Sequence, residues 1–478
     1  MQFTGPQPQH ELTYSDVFLV PGRSEVPSRL DVDLSVHDAT GLRIPVVAAN
    51  MNAVTGPRLA AAMARRGGLG VLPQDLGAQE TAEAIRWVKA QHPLWDTPFE
   101  AEAAETVGEA LERMYPAAGF GVLVRDGERV AGVAPLPQLS RMPRDARLGD
   151  ILHEPVPTLD AARLHTPRQA FDALHEHGAD FAVVERDGRV LGTVCTAGAL
   201  RGSITPPALD ERGRLRCAVA IGVSGAVVER ARALAQAGAD VLVLDTAHGH
   251  QGAMLRAIEA VRAEDLGLPI VAGNVVTAAG VRDLVQAGAD IVKVGVGPGA
   301  MCTTRMMTAV GRPQFSAVLE TAEEARILGA GVWADGGVRY PRDVALALAA
   351  GASAVMIGSW FAGTVEAPGR VRADEAGGAF KESFGMASSK AVEARFARLD
   401  PYERARKKLF AEGISSSRIR IDPDRPSVED LLDAITTGLR SSCTYAGAGT
   451  LAEFRSRAKV GVQSAAGYEE GKALPVSW

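Results

Sequence analysis

Short apolar runs alternate with segments of helical periodicity along most of the chain. Two runs of strand length lie near the start, at 44–49 and 70–73, and a helical pattern follows each, at 58–66 and 81–90. Six more strands are predicted, with helical patterns between them, at 217–221, 241–244, 269–272, 291–294, 332–334 and 354–357. Strands that alternate with helices predict an α/β fold with a parallel sheet, and eight such strands predict a (β/α)8 TIM barrel.

A duplicated unit interrupts this alternation. The sequence GVLVRDGERVAGV at 121–133 recurs as AVVERDGRVLGTV at 182–194, and each copy predicts a strand, an Asp-Gly turn and a second strand. A repeat of this kind inside an α/β chain predicts an inserted domain. We therefore divide the chain into a first part of the barrel, an insert of two halves, and the remainder of the barrel with a C-terminal segment. The boundaries are 1–92, 93–205 (halves 93–144 and 145–205) and 206–478.

Composition excludes several functional classes. The 478 residues are 46% hydrophobic and carry a net charge of −6, which argues against nucleic acid as the main partner. The four cysteines, Cys195, Cys217, Cys302 and Cys443, are too far apart for a zinc motif or a disulfide framework. The first residues do not resemble a signal peptide, and no apolar run reaches the roughly 18 residues of a membrane span. We expect a cytoplasmic protein.

Polar residues and glycines follow most of the predicted strands. The carboxyl ends of barrel strands meet on one rim, where barrel enzymes carry their catalytic groups. Gly337, Gly358 and Ser359 predict a phosphate cradle on this rim, and Asp335 is placed to accept hydrogen bonds from ribose hydroxyls. The loop GVGPGAMCTTR at 295–305 predicts an exposed, reactive thiol at Cys302. The alternative is a buried structural cysteine.

This loop resembles the cysteine loop of the IMP dehydrogenase and GMP reductase family, and the resemblance extends over nearly the whole chain. It implies that Cys302 attacks C2 of the purine, and that Thr304 and Glu412 carry a proton to the departing amine. The implied substrate-binding residues are Met51, Asp335, Gly337, Gly358, Ser359, Gly385, Met386, Ala387 and Ser388.

The same resemblance implies a nicotinamide cofactor beside the purine. The implied cofactor-binding residues are Asp245, Thr246, Asn274, Gly295 and Gly297. The backbone around Gly297, Gly299 and Cys302 resembles a site for a monovalent cation such as potassium. His248 is assigned to the cofactor side or to a structural role, with a catalytic base as the less favoured alternative.

The two reactions of the family differ in their need for a base that activates water. In the dehydrogenases an Arg-Tyr pair on a flap, about a dozen residues before a Glu-Gly, supplies that base. Here the Glu-Gly is Glu412-Gly413, and Asp400-Pro401 stands twelve residues earlier. The segments 49–51, 302–305 and 442–448 also resemble the reductases, whereas the insert and the run at 245–250 resemble the dehydrogenases.

The resemblance therefore favours a GMP reductase of purine salvage, which converts GMP to IMP and ammonia with NADPH. NADH in place of NADPH stays open. The alternatives are an IMP dehydrogenase that makes XMP with NAD, a non-catalytic nucleotide sensor, and another barrel enzyme that shares only the phosphate site.

The insert resembles a tandem pair of CBS modules, which commonly bind adenine or guanine nucleotides and regulate the host enzyme. A spacer without a ligand is the alternative. The family implies a homotetramer or octamer, with neither nucleic acid nor membrane as a partner.

Overall fold

The computed structural model describes residues 1–4, 10–152, 156–384, 400–409 and 416–473. The strands of this part of the chain, β1 to β20 in order, are Gln2–Phe3, Val17–Val20, Val46–Ala48, Leu69–Leu72, Phe99–Glu102, Gly121–Asp126, Arg129–Pro135, Thr158–Asp160, Phe181–Arg186, Arg189–Cys195, Ala218–Ile221, Val241–Asp245, Ile270–Val275, Ile291–Val294, Gly331–Asp335, Ala354–Ile357, Arg372–Ala373, Ala379–Phe384, Ser416–Arg420 and Lys459–Val462.

The α-helices of the same residues, α1 to α17 in order, are Pro57–Arg65, Ala78–Ala90, Val107–Leu111, Leu136–Leu139, Pro167–Glu176, Thr196–Ile204, Val227–Ala237, Gly252–Arg262, Ala278–Gln286, Thr304–Thr308, Gln314–Ile327, Pro341–Ala349, Ser359–Ala362, Pro401–Leu409, Val428–Tyr445, Leu451–Arg457 and Ala465–Glu470. None of these helices is both long and apolar enough to span a bilayer.

Eight parallel strands close into a barrel within the described residues. Their order around the barrel is β3, β4, β11, β12, β13, β14, β15 and β16, and β16 pairs with β3 to complete the ring. Strands buried on both faces need near-continuous apolar sequence, and β11 and β16 consist entirely of buried apolar residues. The (β/α)8 prediction is confirmed, because the apolar runs and helical patterns alternate as this fold requires.

Two small sheets lie in the chain between β4 and β11. In the first, β5 pairs with β6 in parallel and β6 pairs with β7 in antiparallel fashion. In the second, β8, β9 and β10 repeat the same arrangement. Each sheet packs on a separate apolar core, so the duplicated sequence corresponds to a duplicated structure.

Ion pairs join the second small sheet's unit to the barrel. Arg201 of α6 lies 3.2 Å from a carboxylate oxygen of Glu429 and 2.7 Å from one of Asp433, and it also pairs with Asp430. Arg66 of the barrel donates to the other oxygen of Asp433 at 2.7 Å. Charge-assisted contacts of this geometry, partly shielded from water, fix the position of α6 on helix Val428–Tyr445.

A further sheet joins β17, β18 and β19. The strands β18 and β19 are antiparallel, and Phe384 at the end of β18 faces Ser416 at the start of β19. The chain therefore leaves this sheet at residue 384 and returns to it at residue 416. The sheet is the base from which the predicted flap with Glu412 begins and ends.

Candidate active site

A buried lysine lies at the centre of the catalytic rim. Lys293 of β14 is 2% exposed, and its ammonium lies 2.8 Å from Oδ1 of Asp245 and 2.5 Å from Oδ2 of Asp335. Burial by itself lowers the pKa of this ammonium, but the two carboxylates outweigh burial and raise the pKa above its ordinary value. Lys293 is therefore charged and ties together the ends of β12 and β15.

Two asparagines complete the contacts of these carboxylates. Asn50, which follows β3, donates from Nδ2 to Oδ2 of Asp245 at 2.8 Å. Asn274 donates from Nδ2 to Oδ2 of Asp335 at 3.0 Å and to the carbonyl oxygen of Gly295 at 2.6 Å. Both oxygens of Asp245 are thus engaged, whereas Oδ1 of Asp335 has no hydrogen-bond partner among the described residues. This oxygen remains available to accept hydrogen bonds from a ligand.

The loop that carries Cys302 packs against the end of β15. A Cβ atom added to Gly295 would lie 2.0 Å from the carbonyl oxygen of Asp335, and one added to Gly336 would lie 3.1 Å from the amide nitrogen of Gly299. Only glycine allows these backbones to approach so closely. The backbone N–H of Cys302 donates to the carbonyl oxygen of Gly299 at 2.9 Å, and the Cys302 side chain is exposed. The loop that packs on the end of β15 therefore carries an accessible thiol.

Thr304 stands two residues after Cys302, at the start of α10, and is half-buried. Its predicted partner in proton transfer, Glu412, lies outside the described residues, as do Gly385, Met386, Ala387 and Ser388. The proximity of Thr304 to the thiol follows from the chain itself. The role of Thr304 and Glu412 in proton transfer stays a prediction.

The predicted phosphate-side residues surround the ends of β15, β16 and β3. Gly337 has a positive φ of 82° and lies against Pro298 of the cysteine loop and the ring of Tyr14. Gly358 precedes the first residue of α13, Ser359, and a Cβ atom at Gly358 would lie 3.0 Å from Sδ of Met51. Met51, Gly358 and Ser359 are thus neighbours in space, with backbone N–H groups at a helix start available to an anion.

The predicted cofactor-side residues lie on the adjacent strand ends. The backbone of Thr246 exchanges two hydrogen bonds of 2.9 Å with Gly273 and Asn274, and its hydroxyl donates to the carbonyl oxygen of His248 at 2.7 Å. The His248 side chain is exposed. Oδ1 of Asn274 is a buried acceptor without a partner in the described part of the chain. The structure thus brings Asp245, Thr246 and Asn274 together, with Gly295 bound to Asn274.

The described contacts give little support to the predicted cation site around Gly297, Gly299 and Cys302. The carbonyl oxygen of Gly299 already accepts the N–H of Cys302. Gly297 has a positive φ of 84° and packs against the Arg305 side chain. No cluster of three or more His, Cys, Asp or Glu side chains able to hold a metal occurs among the residues that the structure describes.

Sequence reasoning missed Lys293. The signal was present, because β14 reads Ile-Val-Lys-Val within an otherwise apolar barrel, and lysine is almost never buried without a charged partner. Asn50 enters the sequence prediction only within the segment 49–51 that resembles the reductases, and its contact with Asp245 is not predicted from the sequence.

The chain is similar over most of its length to known proteins. A profile described as "IMP dehydrogenase / GMP reductase domain" matches residues 11–473. The GMP reductases of Mycobacterium tuberculosis and Mycobacterium bovis are 54% identical over 476 residues, which cover 99% of both chains in each case. An inosine-5'-monophosphate dehydrogenase of Aquifex aeolicus is 37% identical over 473 residues, 96% of this chain and 94% of that protein.

A solved structure covers the chain equally well. The crystal structure of a Cys-to-Ala variant of Trypanosoma brucei GMP reductase with guanosine 5'-monophosphate has a TM-score of 0.69 and 31% sequence identity, and the match covers 99% of both chains. The barrel, the cysteine loop and these matches lead to one conclusion: the chain belongs to the IMP dehydrogenase / GMP reductase family.

Proposed function

We propose that this protein is an NADPH-dependent enzyme that reductively deaminates GMP to IMP and ammonia. The observation that carries the proposal is the 54% identity, over 99% of both chains, to proteins named GMP reductase. The residues Asp400-Pro401 support it, because they stand where the Arg-Tyr base of a dehydrogenase is expected. In the balanced reaction GMP, NADPH and two protons become IMP, NADP⁺ and ammonium.

The exposed thiol of Cys302 forms a bond to purine C2, and the bond from C2 to the amine then breaks. Thr304 and Glu412 pass the proton that lets this amine leave as ammonia, and positioned acids of this kind accelerate such steps roughly 10²- to 10⁴-fold. NADPH, when bound, supplies the hydride that C2 accepts. The Cys302 sulfur then departs from C2, which restores the free thiol.

The arrangement of hydrogen-bond acceptors and donors suits GMP and NADPH. Oδ1 of Asp335 faces no partner among the described residues and is free to accept ribose hydroxyls, while Gly337, Gly358 and Ser359 offer backbone N–H groups to the phosphate. The orphaned Oδ1 of Asn274 fits an amide donor such as a nicotinamide carboxamide. Asp245, Thr246, Gly295 and Gly297 would hold the remainder of the cofactor.

The insert and the assembly complete the proposal. Two sheets of the same topology, each with its own core, support assignment of 93–205 as a CBS pair that binds an adenine or guanine nucleotide. We further propose a homotetramer or octamer, and a reducing cytoplasm as the compartment that suits an exposed catalytic thiol. A monovalent cation at Gly297, Gly299 and Cys302 belongs to the same proposal.

One assay separates the two reactions of the family. The purified protein is supplied with GMP and NADPH, and both the loss of absorbance from reduced cofactor and the release of ammonia are followed. A parallel reaction contains IMP and NAD and is analysed for XMP. The proposal requires equimolar ammonia and NADP⁺ in the first reaction, and no turnover by Cys302→Ala. Production of XMP at a rate that rivals the consumption of GMP would refute it in favour of the dehydrogenase.

A further inference from the structure

An open cleft lies between the first small sheet's unit and the base of the flap. It has a volume of about 500 Å³, and its walls come from 111–116 on the insert and from β17 and β18 on the barrel side. This volume lies within the range of small-molecule sites, roughly 300 to 1,000 Å³. Leu111, Pro116 and Val371 supply apolar surface, and Tyr115 adds an aromatic ring.

Three arginines line this cleft among the described residues. Arg144 belongs to the insert, whereas Arg370 and Arg372 belong to the barrel. Arg370 lies 4.0 Å from a carboxylate oxygen of Glu112, and Arg372 lies 3.6 Å from one of Glu382. These ion pairs are long and largely exposed, so they contribute little and yield readily to a stronger anion. Guanidinium groups bind phosphate oxygens in a bidentate manner, which makes phosphate the best-matched ligand group.

Tyr115 adds a neutral donor beside the arginines. Burial raises the pKa of its phenol first, and the charges of Asp422 and Asp424 raise it further. The phenol therefore stays protonated, and its ring together with Leu111 and Val371 offers a surface on which a planar ring can pack. The cleft thus pairs a phosphate-binding side with an aromatic-binding side.

The walls of the cleft are linked to the start of the flap. The N–H of Val371 donates to the carbonyl oxygen of Glu112 at 2.8 Å, and the side chain of Val365 is buried in the core of the insert's first unit. Lys381 of β18 donates to the carbonyl oxygens of Thr364 and Ala367 at 2.8 Å and 2.5 Å. The strand that carries Lys381 ends at residue 384, immediately before the predicted substrate-binding residues 385–388.

We propose that this cleft is a regulatory site for an organic phosphate that carries an aromatic ring, the chemistry of a nucleoside polyphosphate. This site lies between the insert and the barrel, and two of its three arginines come from outside residues 93–205. None of its lining residues is a predicted catalytic, substrate-binding or cofactor-binding residue, so the cleft is separate from the catalytic rim as well as from any ligand held between the two halves of the insert. The occupant bridges 111–116 and β17, and so changes the rate of GMP turnover through β18.

The test measures binding to full-length protein whose catalytic site is saturated with GMP. ATP, GTP and inorganic tripolyphosphate are titrated calorimetrically into wild type, Arg370→Gln/Arg372→Gln, Arg144→Gln and the control Arg168→Gln. Arg168 is an exposed arginine of the insert that pairs with Asp172 at 2.8 Å, away from the cleft. Melting temperatures of all variants are compared with that of wild type.

The proposal expects at least one nucleoside triphosphate to bind wild type at the cleft, as a class of sites that is counted separately from any site between the two halves of the insert. The double variant then weakens this binding at least tenfold and Arg144→Gln severalfold, whereas Arg168→Gln stays within twofold and GMP turnover without nucleotide stays within twofold in all variants. Tripolyphosphate binds more weakly than the nucleotide. A double variant that keeps every class of nucleotide sites seen in wild type, with unchanged affinities, would place the ligand elsewhere. Absence of nucleotide binding to wild type would refute the site, and equal affinity for tripolyphosphate would refute the role assigned to the aromatic ring.

Discussion

Replacing Lys293 by methionine removes the positive charge that separates two carboxylates while keeping most of the side-chain volume. Asp245 and Asp335, with side chains 18% and 22% exposed, would then face each other across an apolar methyl-thioether. Breaking a buried ion pair by removing one partner costs about 3 to 5 kcal/mol, and the partial exposure of both aspartates places this case near 3 kcal/mol. At about 2 °C per kcal/mol, the value for larger domains, the melting temperature of the barrel falls by about 6 °C at pH 8.

The pH dependence of this loss distinguishes a charge effect from a packing defect. In the Lys293→Met protein the repulsion raises the pKa of one aspartate above its unfolded value. A carboxyl group with a raised folded pKa contributes stability at low pH that is lost as the pH rises through that pKa. The difference in melting temperature between wild type and variant therefore shrinks as the pH falls from 8 to 5.

Thermal unfolding followed by circular dichroism tests this, with GMP affinity measured calorimetrically at each pH. Lys459→Met, which alters an exposed lysine of β20, serves as the control and should melt within 1 °C of wild type. The double variant Lys293→Met/Asp245→Asn removes one of the two opposed charges and should recover part of the stability. A Lys293→Met protein that loses the same stability at pH 5 and pH 8 would refute the electrostatic account.

Three further predictions concern the flap, the insert and a buried acid. Glu412→Gln should lower kcat for GMP at least a hundredfold while GMP affinity changes less than threefold. Glu403→Gln on the described helix Pro401–Leu409 is the matched control. Weakened GMP binding with normal turnover would contradict the role assigned to Glu412. Deletion of 93–205 should leave an active barrel that no longer responds to ATP or GTP. Its melting temperature should be lower, because Val365 loses its apolar surroundings. Loss of activity in a folded deletion protein would show that the insert is needed for catalysis. Burial raises the pKa of Glu366 to about 7, so the stability that its protonated form contributes is lost as the pH rises from about 4.5 to about 7. Glu366→Gln should therefore flatten the dependence of melting temperature on pH in that interval. An unchanged profile would exclude Glu366 as the source of this pH dependence.

The eight barrel strands could be predicted because each is a short apolar run between helical patterns. Periodicity along one chain carries this information, since every strand of a closed parallel barrel is buried on both faces. The two hairpins were equally readable, although the two turn residues are Gly127-Glu128 in the first and Asp187-Gly188 in the second.

The partners of Lys293 could not be predicted in the same way. They depend on which strands are neighbours and on their register. Lys293 lies opposite Gly273 on one side and Trp333 on the other, and a Cβ atom at Gly273 would lie 2.7 Å from that of Lys293. The glycine gives the lysine room to reach past β13 to Asp245 on β12. The sequence shows a glycine and a lysine 20 residues apart, and only the barrel shows that they are adjacent.

The same contacts connect the loop that carries Cys302 to Asp335, the carboxylate proposed to bind the ribose. Asn274 donates to Oδ2 of Asp335 and to the carbonyl oxygen of Gly295, where the cysteine loop begins. Lys293 and Asn274 both donate to Oδ2 of Asp335. The carboxylate therefore cannot rotate without losing the charge-assisted hydrogen bond from Lys293 and the neutral one from Asn274, and Oδ1 stays directed away from both donors. A ribose bound to Oδ1, as proposed, would therefore be held at a fixed distance from the start of the loop that carries Cys302. In the proposed reaction the position of the purine relative to the thiol would thus depend on Lys293 and Asn274, although neither takes part in the bond changes at C2.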